Sequence, residues 1–198
     1  YNTPSWGIKY GILKNVTFGQ GLLIGNYTTV SKGGIIESNK QTGVRAYYKK
    51  DIYGVEVLGT WSKLYAARVT EELSYMFPVT LSQYYVTDTD GVNFTKTDGV
   101  VVNYPSISGA AIDAQIPLIL GSNLFAEYAR LSGHGGGFTL GLSAASDIGI
   151  GKANLRAERR IIEYNFVPGY FNEDYETNPI NLTSYEASSQ SKDGYRVL

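Results

Sequence analysis

Residues 53–75 of this chain alternate, one residue up and one down, between a mainly apolar and a mainly polar parity. Tyr53, Val55, Val57, Gly59 and Trp61 share one parity, and Gly54, Glu56, Leu58, Thr60 and Ser62 share the other. After a short break the pattern resumes. Tyr65, Ala67, Val69, Leu73 and Tyr75 stand on one side, interrupted by Glu71. Ala66, Arg68, Thr70, Glu72 and Ser74 stand on the other. A period of two defines a strand, because successive strand side chains point to opposite faces. The apolar parity begins and ends in aromatics while the other carries charge, as expected of strands with hydrocarbon on one side and water on the other.

The same parity recurs further on. Ala110, Ile112, Ala114, Ile116 and Leu118 oppose Asp113 and Gln115. Phe138, Leu140, Leu142 and Ala144 oppose Thr139, Gly141, Ser143 and Asp147. Asn154, Arg156, Glu158 and Arg160 oppose Ala153, Leu155, Ala157 and Ile161, with Arg159 as the exception. Strands are predicted at about 5–13, 16–27, 42–50, 53–62, 64–75, 77–88, 107–119, 122–132, 137–147, 151–164 and 184–190. Several are longer than the roughly 5–6 residues usual in globular proteins and match the ~9–11 residues of a tilted membrane strand. Most connections are short, so consecutive strands pair as an antiparallel meander. Three stretches are longer: 28–41, 88–106 and 165–183. The expected fold is therefore all-β, a single domain over 1–198. It is an antiparallel up-and-down meander forming a membrane β-barrel or part of one.

Composition supports this and excludes other classes. Seventeen tyrosines and 23 glycines stand against one histidine and one methionine. Tyrosine suits a boundary between apolar and wet surroundings. A formal net charge of −1 gives no bulk attraction to nucleic acid. With no cysteine there is no disulfide framework or thiol chemistry. Mean hydropathy is slightly negative, and no run approaches the ~18 apolar residues of a membrane helix. The opening residues have no basic region followed by an apolar one, and alternation is still running at Tyr195. The chain reads as a piece of a longer one.

The inward charges are the main functional candidates. Arg45, Glu56, Arg68, Glu72, Asp113, Glu127, Arg156, Glu158 and Arg160 are expected to line a hydrated lumen, where they bias solute choice and pair across strands. Their expected role is electrostatic filtering, not catalysis. Other motifs carry less. Phe18-Gly19-Gln20-Gly21-Leu22-Leu23-Ile24-Gly25 lacks the spacing of a dinucleotide loop and reads as a strand that another backbone approaches closely. His134, in Ser132-Gly133-His134-Gly135-Gly136-Gly137, reads as part of a flexible turn, unsuited to catalysis. Asp88, Asp90 and Asn93 resemble the start of a calcium loop, yet the further acidic ligand and helices of an EF-hand are missing. They read first as turn residues, with a weak calcium site as the alternative and no other cofactor expected. The run Phe166–Glu176 reads as an aromatic-capped turn or an interface girdle with a loop at a pore mouth.

Together, Tyr53–Trp61, Leu124–Arg130, Gly137–Ser143 and the Phe166–Tyr175 turn resemble bacterial outer-membrane β-barrels of the porin-like kind. The resemblance implies an outer-membrane location, lipid bilayer as partner, passive or weakly selective passage of small hydrophilic solutes, and contacts with other barrel or envelope subunits. It also implies a terminal aromatic, where this chain has Val197-Leu198. Two other readings stand beside it. One is a structural or adhesive barrel. The other is a secreted β-sandwich binding glycan or protein through exposed tyrosines.

Overall fold

The computed structural model describes residues 5–29, 42–74, 77–95, 99–147, 152–176, 178–182 and 192–197. Ten strands form one antiparallel sheet: β1 (Ser5–Gly11), β2 (Gly43–Lys50), β3 (Tyr53–Thr60), β4 (Leu64–Ser74), β5 (Pro78–Asp88), β8 (Ile107–Pro117), β9 (Ser122–Leu131), β10 (Gly136–Asp147), β11 (Lys152–Ile162) and β12 (Lys192–Val197). Between β5 and β8 a separate hairpin pairs β6 (Val92–Thr95) with β7 (Val101–Tyr104). The strand order follows the chain from β1 to β12, and among the described residues these two edges do not pair. The meander is as expected, but the sheet is open and not a closed barrel.

Register follows the side-chain pattern. On one face Tyr48 lies opposite Val55, Val55 opposite Val69, and Phe138 opposite Tyr128. A one-residue slip would exchange every such position with the charged parity, so the alternation fixes the register. This is the open face, and its large apolar side chains are uncovered: Trp6 is 68% exposed and Trp61 81%. Connections differ between the two rims. At one rim, β2–β3, β4–β5, β8–β9 and β10–β11 are joined by 51–52, 75–77, 118–121 and 148–151. At the other rim, β3–β4 and β9–β10 have tight links, but β1–β2, β5–β8 and β11–β12 span 12–42, 89–106 and 163–191.

Two of those long connections cover the other face. Leu13, Val16, Phe18, Leu22, Leu23, Ile24 and Tyr27 from the first are almost wholly buried. So are Phe166, Val167, Tyr170, Phe171 and Tyr175 from the second. They share one core with Leu58, Leu64, Val86, Ala111, Ala129 and Leu131 of the sheet. Glycines on the covered face leave room for these knobs. A Cβ on Gly43 would lie 2.6 Å from Leu13 Cδ1, one on Gly109 2.9 Å from Leu23 Cδ1, and one on Gly137 2.6 Å from Phe166 Cε1. The two segments also dock on each other. Gly169 N–H donates to Leu22 O (2.7 Å), Phe171 N–H to Leu23 O (3.0 Å) and Gly25 N–H to Phe171 O (3.1 Å).

Four expectations are corrected here. Residues 16–27 are not a strand. Their ladder contacts are the isolated Val16–Tyr27 and Ile24–Phe171 bridges, because Asn15, Gly19, Gly21 and Asn26 take positive φ and turn the chain back on itself. The 88–106 stretch is not a bare loop: β6–β7 brings Phe94 and Tyr104 into edge contact at 5.8 Å. His134 is not in an open turn, being buried with its ring 5.4 Å from Tyr104. The Phe166–Glu176 aromatics cover the sheet's inner side instead of forming a girdle. The predicted strand 184–190 and residues 30–41 of the first long connection lie outside the described residues.

Candidate functional site

All nine expected lumen residues lie on the covered-face parity, and the structure sorts them into four groups. Arg45 and Glu56 form an ion pair on β2 and β3, on neighbouring rather than directly opposed positions. Glu72 pairs with Lys49 at 2.6 Å, with both side chains nearly half exposed near the short-turn rim. Arg68 donates to Ser82 Oγ at 2.8 Å and stands 3.7 Å from Asp113, which also accepts from Ser82. The last group is Glu127, Arg156, Glu158 and Arg160, and it meets the inserted segments.

Glu127 on β9 holds the turn at Gln20. One carboxylate oxygen accepts the Gln20 N–H at 2.8 Å and the Leu22 N–H at 3.2 Å. The other accepts the Tyr84 hydroxyl. Two otherwise orphaned backbone donors are thereby satisfied in the core. Gly19, at φ +58°, passes so close that a Cβ would sit 2.7 Å from the Glu127 carboxylate. Across the turn, Arg156 Nη2 donates to Gln20 O at 3.2 Å and Nη1 to Gln20 Oε1 at 3.3 Å, while its guanidinium lies 4.3 Å from the Phe125 ring centroid. Gln20 is clamped between a carboxylate and a guanidinium.

Glu158 sits between two arginines on its own strand. Arg156 Nε donates to it at 2.8 Å and Arg160 Nε at 2.6 Å. Its side chain is fully buried, whereas those of Arg156 and Arg160 are 25% and 20% exposed. Asp113, Glu127 and Glu158 are thus buried, not hydrated as the lumen reading expected. The inserted segments exclude water from them, and guanidinium, hydroxyl and backbone N–H groups replace it.

Between the two segments and β11 lies an open recess of about 510 Å³. Arg156 and Arg160 of β11 line it, with Thr17, Gln20 and Asn26 of the first segment and Asn172, Glu173 and Asp174 of the second. The lining is more polar than apolar, and the volume falls within the ~300–1,000 Å³ of small-molecule sites.

A second polar cluster ties the segments to the long-connection rim. Glu176 accepts from Ser62 Oγ at 2.8 Å and from the Tyr27 hydroxyl. Burial, opposed by these two hydrogen bonds, holds its carboxyl above the usual range. Burial first, then Glu176, pushes the Tyr27 hydroxyl well above the ordinary tyrosine value. Tyr175 donates to Asp88 at 2.6 Å and is raised likewise, burial leading. The calcium candidates are not assembled as a metal centre. Asp88 accepts the Asp90 and Gly91 N–H groups at 2.8 and 3.3 Å, closing a turn, and Asp90 pairs with Lys63 at 2.7 Å. Among the described residues no three His, Cys, Asp or Glu side chains converge on one point.

Sequence reasoning missed Gln20, Thr17, Asn26, Tyr84 and Glu176 as site residues. The clue was Asn15, Gly19, Gly21, Gly25 and Asn26 within one segment, too many turn formers for a strand. The molecule is an antiparallel meander wall with an apolar open face and a charged face covered by two of its own connections. Comparison with protein-family models, curated proteins and solved structures finds no match for this chain.

Proposed function

We propose that this chain is the wall and plug of an outer-membrane β-barrel that gives small hydrophilic solutes a restricted, weakly selective passage. The observation that carries the reading is the open face. Trp6, Ile8, Tyr10, Tyr48, Val55, Val57, Ile112, Leu140, Leu142 and Leu155 stand uncovered on it, while the strongest charge clusters turn the other way. Soluble monomers rarely expose contiguous apolar patches beyond a few hundred Å², and lipid is the neighbour that such a surface suits. Strand length agrees: β4, β5, β8, β9, β10 and β11 have 10–12 residues, against ~9–11 needed to cross at a tilt. The rim asymmetry fits short turns on the periplasmic side and long connections outside.

The covered face changes the porin expectation in one respect. A barrel of about ten strands encloses only a narrow interior, which its own side chains can largely fill. Here the filling is supplied by 12–29 and 163–182, so passage runs past a plug, through the recess beside Arg156 and Arg160. The same filling favours a second reading, a structural barrel with no passage. No catalytic role is assigned to His134 or to the buried carboxylates.

The test has two stages. The folded chain is expected to be monodisperse only in detergent and to insert in lipid vesicles. Monodisperse behaviour in plain buffer overturns the membrane reading. Planar-bilayer recording is then expected to show small, fluctuating currents. A silent bilayer holding folded protein overturns passage and leaves the structural barrel.

A further inference from the structure

At the long-connection rim one side chain joins three separate connections. Glu176, on the second inserted segment, accepts from the Tyr27 hydroxyl of the first segment and from Ser62 Oγ of the β3–β4 link, the latter at 2.8 Å. Ser62 Oγ is itself 2.7 Å from Thr60 Oγ1 at the end of β3. The preceding residue, Tyr175, ties the same segment to Asp88 at the end of β5. Tyr27, Thr60, Asp88 and Tyr175 are all buried.

These contacts differ in kind from those around Glu158, which is held by two guanidiniums. Glu176 is held by hydroxyls, and among the described residues no cation pairs with it. Lys63, next to Ser62, is committed to Asp90 at 2.7 Å. The remaining titratable groups around Glu176 are Tyr27 on the first segment, Asp88 on β5, and Tyr170, Glu173, Asp174 and Tyr175 on its own segment. A carboxylate that loses water without gaining a cation is penalised in its charged form. Both hydroxyls meet the same carboxylate oxygen, Oε1. A proton on Oε2 therefore removes the charge and keeps both bonds. Burial accordingly holds this carboxyl above its ordinary range, with the two hydroxyl bonds opposing and Asp88 reinforcing.

We propose that Glu176 is a proton-operated latch on the inserted segments. With a proton on Oε2 it holds the two segments to each other and to the β3–β4 link. Without that proton it turns to water, and the rim end of the seam between the segments loosens. The proton comes from solvent and returns to it. The inference goes beyond solute passage and does not rest on it, because the latch acts on how the segments seat against the sheet. The seated state binds the proton more tightly than the loosened state, in which the carboxyl is hydrated. Seating is thus firmest below the ordinary carboxylate range and weakens as pH rises through the seated value.

Residue-resolved hydrogen exchange of the folded chain tests this, read at each pH as protection relative to an unstructured peptide. The reporters are the Gly25, Gly169 and Phe171 amides, which bond across the seam. Their protection is expected to fall at least about threefold between about pH 4 and about pH 7, while that of mid-sheet amides such as Ala126 and Leu140 stays level. Glu176→Gln keeps an acceptor for both hydroxyls and cannot ionise, so it is expected to hold the seam at its acid level throughout. Tyr27→Phe removes a bond that favours the ionised form, so its fall is expected at higher pH, a shift that a purely structural contact would not produce. It also keeps the question answerable if Glu176→Gln fails to fold. Level protection in wild type, a fall that persists in Glu176→Gln, an unmoved fall in Tyr27→Phe, or a parallel fall in the sheet amides overturns the proposal.

Discussion

The open and covered faces are built from the same ten strands and satisfy opposite requirements. On the open face Val55, Val57, Leu140 and Leu142 stand exposed, with no layer of described residues above them. On the covered face Glu127 and Glu158 are buried and ringed by donors. A soluble sheet would reverse this, burying its valines and hydrating its glutamates. Burial of charge is tolerated inside because each carboxylate has a specific guanidinium, hydroxyl or backbone N–H. The apolar surface outside suits a non-aqueous neighbour, as the proposed barrel would give it. The contrast teaches that alternation records two environments, and that the polar one need not be water.

The largest expected effect breaks the covered face. Glu158→Leu leaves Arg156 and Arg160 facing each other without their shared carboxylate, and removal of one partner from a buried ion pair costs about 3–5 kcal/mol. Denaturant unfolding in detergent measures it. An effect within ~0.5 kcal/mol, the range of ordinary surface substitutions, means that Glu158 is not sealed. Next comes the open face. Val57→Arg, in mid-strand, is expected to cost ~2–4 kcal/mol in lipid vesicles if that face meets the bilayer midplane. A near-zero cost puts water there and removes the distinction between the faces.

Smaller effects sharpen the contact between plug and sheet. Gly137→Val places side-chain carbon where Phe166 packs, and overpacking of this kind typically costs ~1–3 kcal/mol. Paired with Phe166→Ala, the cost is expected to shrink, because the new side chain fills the space that the ring leaves. Additive losses would separate the two residues. The smallest effect is in pH. Burial raises the Glu176 carboxyl above its unfolded value, so the native state binds that proton more tightly. Its contribution is present below the ordinary carboxylate range and is lost as pH rises through the folded value. Tyr27, Ser62, Asp88 and Tyr175 surround this group. Glu176→Gln is expected to flatten stability against pH from mildly acid to neutral. An unchanged profile assigns the slope to another group.

Strand identity and register were legible because period two reports facing directly. Nine of the eleven strands predicted from sequence correspond to sheet strands at similar bounds. The site was legible in part. Arg156, Glu158 and Arg160 were singled out by parity; Arg156 and Arg160 do line the recess, and Glu158 pairs with both of them. Gln20, Asn172, Glu173 and Asp174 were not, since they come from segments with no period, and only folding places them opposite β11.

By itself the sequence determined which side of each strand carries charge, since side-chain alternation is a local property of extended backbone. What lies against that charge was decided by tertiary structure alone. The turn formers at 15–26 and the aromatics at 166–175 are compatible locally with an outer loop or a girdle. They lie against the charged face of the sheet because Gly43, Gly109 and Gly137 leave space for their side chains and because Glu127 and Arg156 satisfy the Gln20 turn. Those conditions join residues from about 30 to 136 positions apart, and no local pattern records them.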